Sequence, residues 1–119
     1  MMNEVNREVI ENVLNKMAVN YADFQQQSQE RNQYEHLKDK VWAHWYDEYK
    51  VQTEFKEGRK YVKLWYNNSV TGFIVISRND KKFEYGDLLM AASWSAPARN
   101  FARGNVFTNM PKTIQWTGV

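Results

Sequence analysis

Ile10, Leu14, Met17, Tyr21 and Phe24 recur at three- and four-residue spacing, which lays one apolar stripe along a helix. Asn3 can cap that helix, Glu4 and Glu8 complement its positive end, and no glycine or proline occurs before Gly58. The pattern predicts that the helix ends near Phe24, because the polar run from Gln25 to Gln33 has no apolar residue on any face. That run is read as a solvated helical extension or as a loop. A second amphipathic run, Tyr34, Leu37, Val41, Trp45 and Glu48 with Trp42 and Tyr49 beside it, predicts a second helix.

From Lys50 the period changes to two, and β-branched and aromatic residues take over. Val51, Thr53 and Phe55 alternate with polar neighbours, Glu57-Gly58-Arg59 reads as a hairpin loop, and 60–66 as the returning strand. Asn67-Asn68-Ser69 tolerates positive φ and turns the chain into a strand over 70–78, followed by a turn at 79–82. Leu88-Leu89-Met90 and 114–117 read as further strands, and 98–103, between Pro97 and Gly104, as one or two helical turns. The expected fold class is α+β: two N-terminal helices packed on an antiparallel β-meander of about five strands. Residues 1–119 are expected to form a single domain, with a helical part over 3–49 and a β-rich part over 50–119. Trp65 and Phe83 have two destinations open to them, the core and a pocket.

Composition narrows the chemistry. With 43% hydrophobic and 15% aromatic residues the chain can bury a core, and the absence of cysteine excludes disulfides, thiolate metal sites and a cysteine nucleophile. The polar start and the short aliphatic run Phe73-Ile74-Val75-Ile76 predict neither a signal peptide nor a membrane span. The net charge of +2 is too small to imply nucleic acid, but it is unevenly placed. All 14 acids and 13 of the 16 basic residues precede Leu88, a balance of −1, whereas Arg99, Arg103 and Lys112 give the remainder +3. A segment without carboxylates suits an anion site, although chance spacing also leaves such gaps.

Catalytic constellations are sparse, and no enzyme is expected. His36 and His44 lie eight positions apart, which on one helix is roughly 80° around the axis and roughly 12 Å along it, too far for one metal ion. The pairs Asp47-Glu48 and Glu54-Glu57 read as solvated surface, and Asp87 as the cap of a turn. No Walker loop, GxGxxG, HExxH or EF-hand loop is present, and no metal or cofactor is expected.

Ala92 to Phe107 is the unusual passage. It joins small residues to Arg99 and Arg103, to Trp94, Phe101 and Phe107, and to Asn100 and Asn105. Arginine forks match phosphate oxygens, rings stack on bases, and amides bond base edges or ribose, so these are the parts of a nucleotide site. The plainer alternative puts the rings in the core, the arginines in solvent and Gly104-Asn105 in a turn.

Lys82-Phe83-Glu84-Tyr85-Gly86-Asp87, followed by Trp94-Ser95-Ala96-Pro97-Ala98-Arg99 and Ala102-Arg103-Gly104-Asn105-Val106-Phe107, resembles a signature of small phage proteins, in particular the first anti-Thoeris family. Members of that family are sponges that bind a cyclic ADP-ribose-type signal made by a bacterial TIR enzyme. The resemblance implies ligand capture without chemical change, in the host cytoplasm, by a homo-oligomer with pockets at subunit interfaces. It would place Arg99 and Arg103 on a pyrophosphate, Trp94 or Phe107 on adenine, and Asn100 or Asn105 on ribose or base. It fixes no residue in the N-terminal half, where Tyr34, His36 or Trp45 could contribute. Capture of a scarce signal calls for nanomolar affinity, about −12 kcal/mol. Two further readings are a single-stranded nucleic-acid-binding module that uses an aromatic sheet face, and a protein–protein inhibitor of a host enzyme.

Overall fold

The computed structural model describes residues 4–32 and 41–119, with side chains from 4–28 and 41–119. Among the described residues two helices, α1 (Arg7–Asn32) and α2 (Trp42–Lys50), precede five strands: β1 (Thr53–Glu57), β2 (Tyr61–Tyr66), β3 (Ser69–Val75), β4 (Asp87–Leu89) and β5 (Gly104–Asn105). The strands form one antiparallel sheet in the order β1-β2-β3-β4-β5. The architecture is α+β, as the periodicity predicts.

Local chemistry sets several boundaries. Asn6 caps α1, its side-chain oxygen accepting from the Val9 amide at 3.0 Å; Asn3, the cap expected from sequence, lies outside the described residues. The glutamine-rich run continues α1 to Asn32 instead of ending it near Phe24, because glutamine is a good helix former even without a partner to pack on. The second helix begins at Trp42 among the described residues; Tyr34, His36 and Leu37 lie outside them. Asn67 and Asn68 turn β2 into β3 at φ 46° and 67°, values that asparagine tolerates better than most residues.

The late part of the chain departs from expectation. Residues 98–103 form no helical turn, and 114–117 form no strand. The fifth strand is Gly104–Asn105, held to β4 through Asp87 opposite Asn105 and Leu88 opposite Gly104. Residue 114 onward serves the core without joining the sheet: Ile114 is buried, and the Trp116 carbonyl accepts from the Tyr49 hydroxyl at 2.7 Å.

Period-two alternation gives the sheet two different faces. Val62, Leu64, Ile74 and Leu88 point to the helices and close one core with Ile10, Val13, Leu14 and Met17 of α1 and Trp45 and Tyr49 of α2. Tyr49 stacks on Tyr66 with ring centroids 4.0 Å apart, and burial pushes its hydroxyl pKa well above the ordinary tyrosine value. On the opposite face Phe73, Val75, Phe83 and Leu89 form a second, smaller cluster under the loop 90–103. That loop covers the β3–β4 side of the outer face. The β1–β2 side stays open.

Candidate functional site

Tyr61, Lys63 and Trp65 occupy alternate positions of β2 and therefore share the outer face. Beside them a groove of about 380 Å³ opens between the β1–β2 hairpin and the loop that carries Trp94. Its walls include the rings of Tyr61, Trp65, Phe73 and Trp94 and the cations Lys56, Arg59, Lys60 and Lys63, with Glu57 the acid among its lining residues. The volume lies in the range of small-ligand sites.

Lys63 is the centre of this arrangement. Its ammonium stands 5.1 Å from the Trp65 ring centroid, 5.3 Å from that of Trp94 and 5.9 Å from that of Phe73. These are cation–π distances, and among the described residues rings, not a carboxylate, hold this charge. Trp94 is 75% exposed, a high value for the largest side chain and one that leaves its ring free to stack. Past Trp65 lies a more polar hollow lined by Gln52, Glu54, Asn67 and Asn68.

The six residues singled out from sequence separate. Trp94 alone lines the groove. Arg99 does not line the groove: its guanidinium donates to both oxygens of Asp80 at 2.9 and 3.0 Å, donates to the hydroxyl of the groove residue Tyr61, and covers the Phe83 ring at 4.8 Å. It clasps the loop to the 79–82 turn. Arg103 lies over Phe101 at 4.4 Å and donates to the Met90 sulfur at 3.4 Å, and Asn100 is exposed. With no helix at 98–103, the two arginines share no face.

Asn105 and Phe107 belong to the frame. The buried Asn105 amide donates to the Tyr85 carbonyl and to Asp87 at 3.0 Å each, while its oxygen accepts from the Phe107 and Thr108 amides at 2.8 and 3.1 Å. Every polar atom of that side chain is engaged internally. Phe107 stacks on Tyr85 with rings 4° from parallel and packs against the main core. Asp87 caps the 84–87 turn by accepting from the Glu84 amide at 2.9 Å. Phe83 is buried in the outer cluster, and Trp65 faces the groove. His44 is exposed, 3.6 Å from Glu48, and His36 lies outside the described residues.

The Arg99 clasp has a measurable pH signature. The Arg99 guanidinium, with the Phe83 and Lys82 amides, holds the Asp80 carboxyl well below the usual carboxylate range. A carboxyl whose folded pKa lies below its unfolded value near about 3.9 stabilises the fold above that pH and loses this contribution as pH falls toward the depressed value. Asp80→Asn should therefore melt below the wild type at neutral pH, with the gap closing below about pH 4. Thermal melts of both proteins across that range check this.

Sequence reasoning missed Lys63, Tyr61 and the hairpin cations as a group. The signal was present in Lys60-Tyr61-Val62-Lys63-Leu64-Trp65, where strict alternation assigns cation and rings to one face. Among the described residues no cluster of three metal-ligating side chains occurs, and no helix is long and apolar enough to cross a membrane. No curated protein and no solved structure matches the chain. Over residues 1–119 the chain belongs to a family of unknown function, DUF7717.

Proposed function

We propose that this protein is a binding protein, without chemistry of its own, that takes an anionic ligand bearing a flat ring in the groove around Lys63. The observation that carries the reading is one ammonium among three rings, flanked by Lys56, Arg59 and Lys60. Rings offer a base something to stack on, and the cations offer phosphate oxygens their partners. In its narrower form, the reading follows the resemblance: the ligand is a cyclic ADP-ribose-type signal, held unchanged in the cytoplasm of a bacterial host. Trp94 keeps its expected role as stacking surface, and Lys63 takes the phosphate role first given to Arg99 and Arg103.

Tryptophan fluorescence and thermal shift with cyclic ADP-ribose isomers, ADP-ribose and AMP test it. Lys63→Ala should weaken binding by about tenfold to a hundredfold and Trp94→Ala by about tenfold, both with nearly unchanged melting temperature. Absence of any shift, together with no nucleotide released on heating, would refute the proposal. The alternation of Tyr61, Lys63 and Trp65 along one strand also favours a second reading, a stacking platform for single-stranded nucleic acid. A labelled oligonucleotide whose affinity falls steeply with salt, with no response to mononucleotides, would favour that one.

A further inference from the structure

We propose that the open edge of β1 pairs antiparallel with the same strand of a second copy of this chain, centred on Phe55. Among the described residues β1 is the outermost strand at its end of the sheet. Two backbone bonds fix which of its peptide groups are free: the Asn67 amide donates to the Gln52 carbonyl, and the Gly58 amide donates to the Tyr61 carbonyl. The register between those bonds runs unbroken from Thr53 opposite Tyr66 to Glu57 opposite Val62. Alternate residues of a strand direct both backbone groups to opposite edges, so Glu54 and Lys56 face β2, and Thr53, Phe55 and Glu57 face outward.

The order Thr53-Glu54-Phe55-Lys56-Glu57 is complementary to itself in one register. With Phe55 on the twofold axis, the residues that exchange hydrogen bonds are Phe55 with its equivalent and Thr53 with Glu57 of the partner subunit. Glu54 then lies opposite Lys56 of the partner subunit, twice, in the pair type where side chains come closest. A shift of two residues either way sets Glu54 against Glu54 or Lys56 against Lys56, and a shift of one puts inner-face residues outside. A lysine on an edge strand ordinarily prevents pairing, but here a glutamate two positions before it supplies the opposite charge. Phe55, half-buried against the main core, would meet its equivalent on the helix side, and the exposed Val51 adds apolar surface nearby. The outer faces of the two sheets become continuous, and Lys56 at the groove gains a partner-subunit carboxylate beside it.

Sedimentation equilibrium of the full chain from micromolar to submillimolar concentration tests this. The wild type should show a reversible monomer–dimer equilibrium. Lys56→Glu alone and Glu54→Lys alone should each weaken the dimer by about tenfold or more, since both like-charge pairs repel. The double variant Glu54→Lys/Lys56→Glu should recover wild-type affinity. An equimolar mixture of the two single variants should also associate, as a heterodimer, which tests the register apart from the folding of either variant. A wild type that stays monomeric throughout, or single variants that dimerise like the wild type, would overturn the proposal.

Discussion

Asn105→Ala is expected to lower stability by about 4 kcal/mol, and the melting temperature by about 15 °C, without any change at the Lys63 groove. The side chain is 4% exposed and makes four internal hydrogen bonds. Truncation leaves the Phe107 and Thr108 amides, both bonds part-buried, without their acceptor and removes the side-chain donor that Asn105 gives to Asp87, itself buried. Orphaned buried groups cost more than an average hydrogen bond contributes, and a carboxylate costs more than an amide. Asn105→Asp separates the two effects: it keeps the acceptor but sets a second carboxylate against Asp87. Thermal melts should therefore rank wild type above both variants, and retained ligand binding by the folded fraction of each would show that Asn105 acts on the frame.

Gly104→Ala should cost about 3 kcal/mol or more, from the neighbouring position and for a different reason. Gly104 has φ 150°, and a Cβ there would stand 2.7 Å from the Asn109 carbonyl oxygen and 2.9 Å from the Pro111 ring. Backbone on one side and a proline on the other cannot yield as a flexible side chain would. The preceding residue makes the contrast: Arg103→Ala removes an exposed side chain lying over Phe101 and should change stability by less than about 1 kcal/mol. Chemical denaturation of the three variants side by side measures the difference. Within Arg103-Gly104-Asn105, the last two residues thus hold the late loop in shape.

These contrasts explain what was legible in the sequence. Period is a local property, so the stripe Ile10-Leu14-Met17-Tyr21 and the alternation of β2 announced a helix and a strand, and with them the α+β layout. Asn67-Asn68 announced its turn because few residues tolerate positive φ. The later loop offered no period to follow. Arginines four apart in sequence suggest a shared face only if the backbone is helical, and between Pro97 and Gly104 it is not. Asp80 and Tyr61, the partners that decide where Arg99 points, lie 19 and 38 positions away. Residue type alone separates neither a buried amide from a ligand-binding one nor a clasping arginine from a free one. Trp94 could be read more directly, because it stands among small residues that offer it no local partner.

The same long-range contacts bear on how the chain acquires its fold during synthesis. The Asn20 side chain of α1 accepts from the Trp116 amide, 96 positions later, Lys16 donates to the Lys112 carbonyl at the same separation, and the Val5 amide donates to the Tyr85 hydroxyl 80 positions on. α1 is made before α2 and the sheet, and these polar partners follow 80 to 96 positions behind it. A nascent chain that has emerged only through β3 has α2 and a three-strand meander for α1 to pack on, but lacks Tyr85, Ile114 and Trp116, which complete its seat. The helix's apolar stripe therefore stays without its full cover until Ile114 and Trp116 have emerged, an interval in which a chaperone has something to hold.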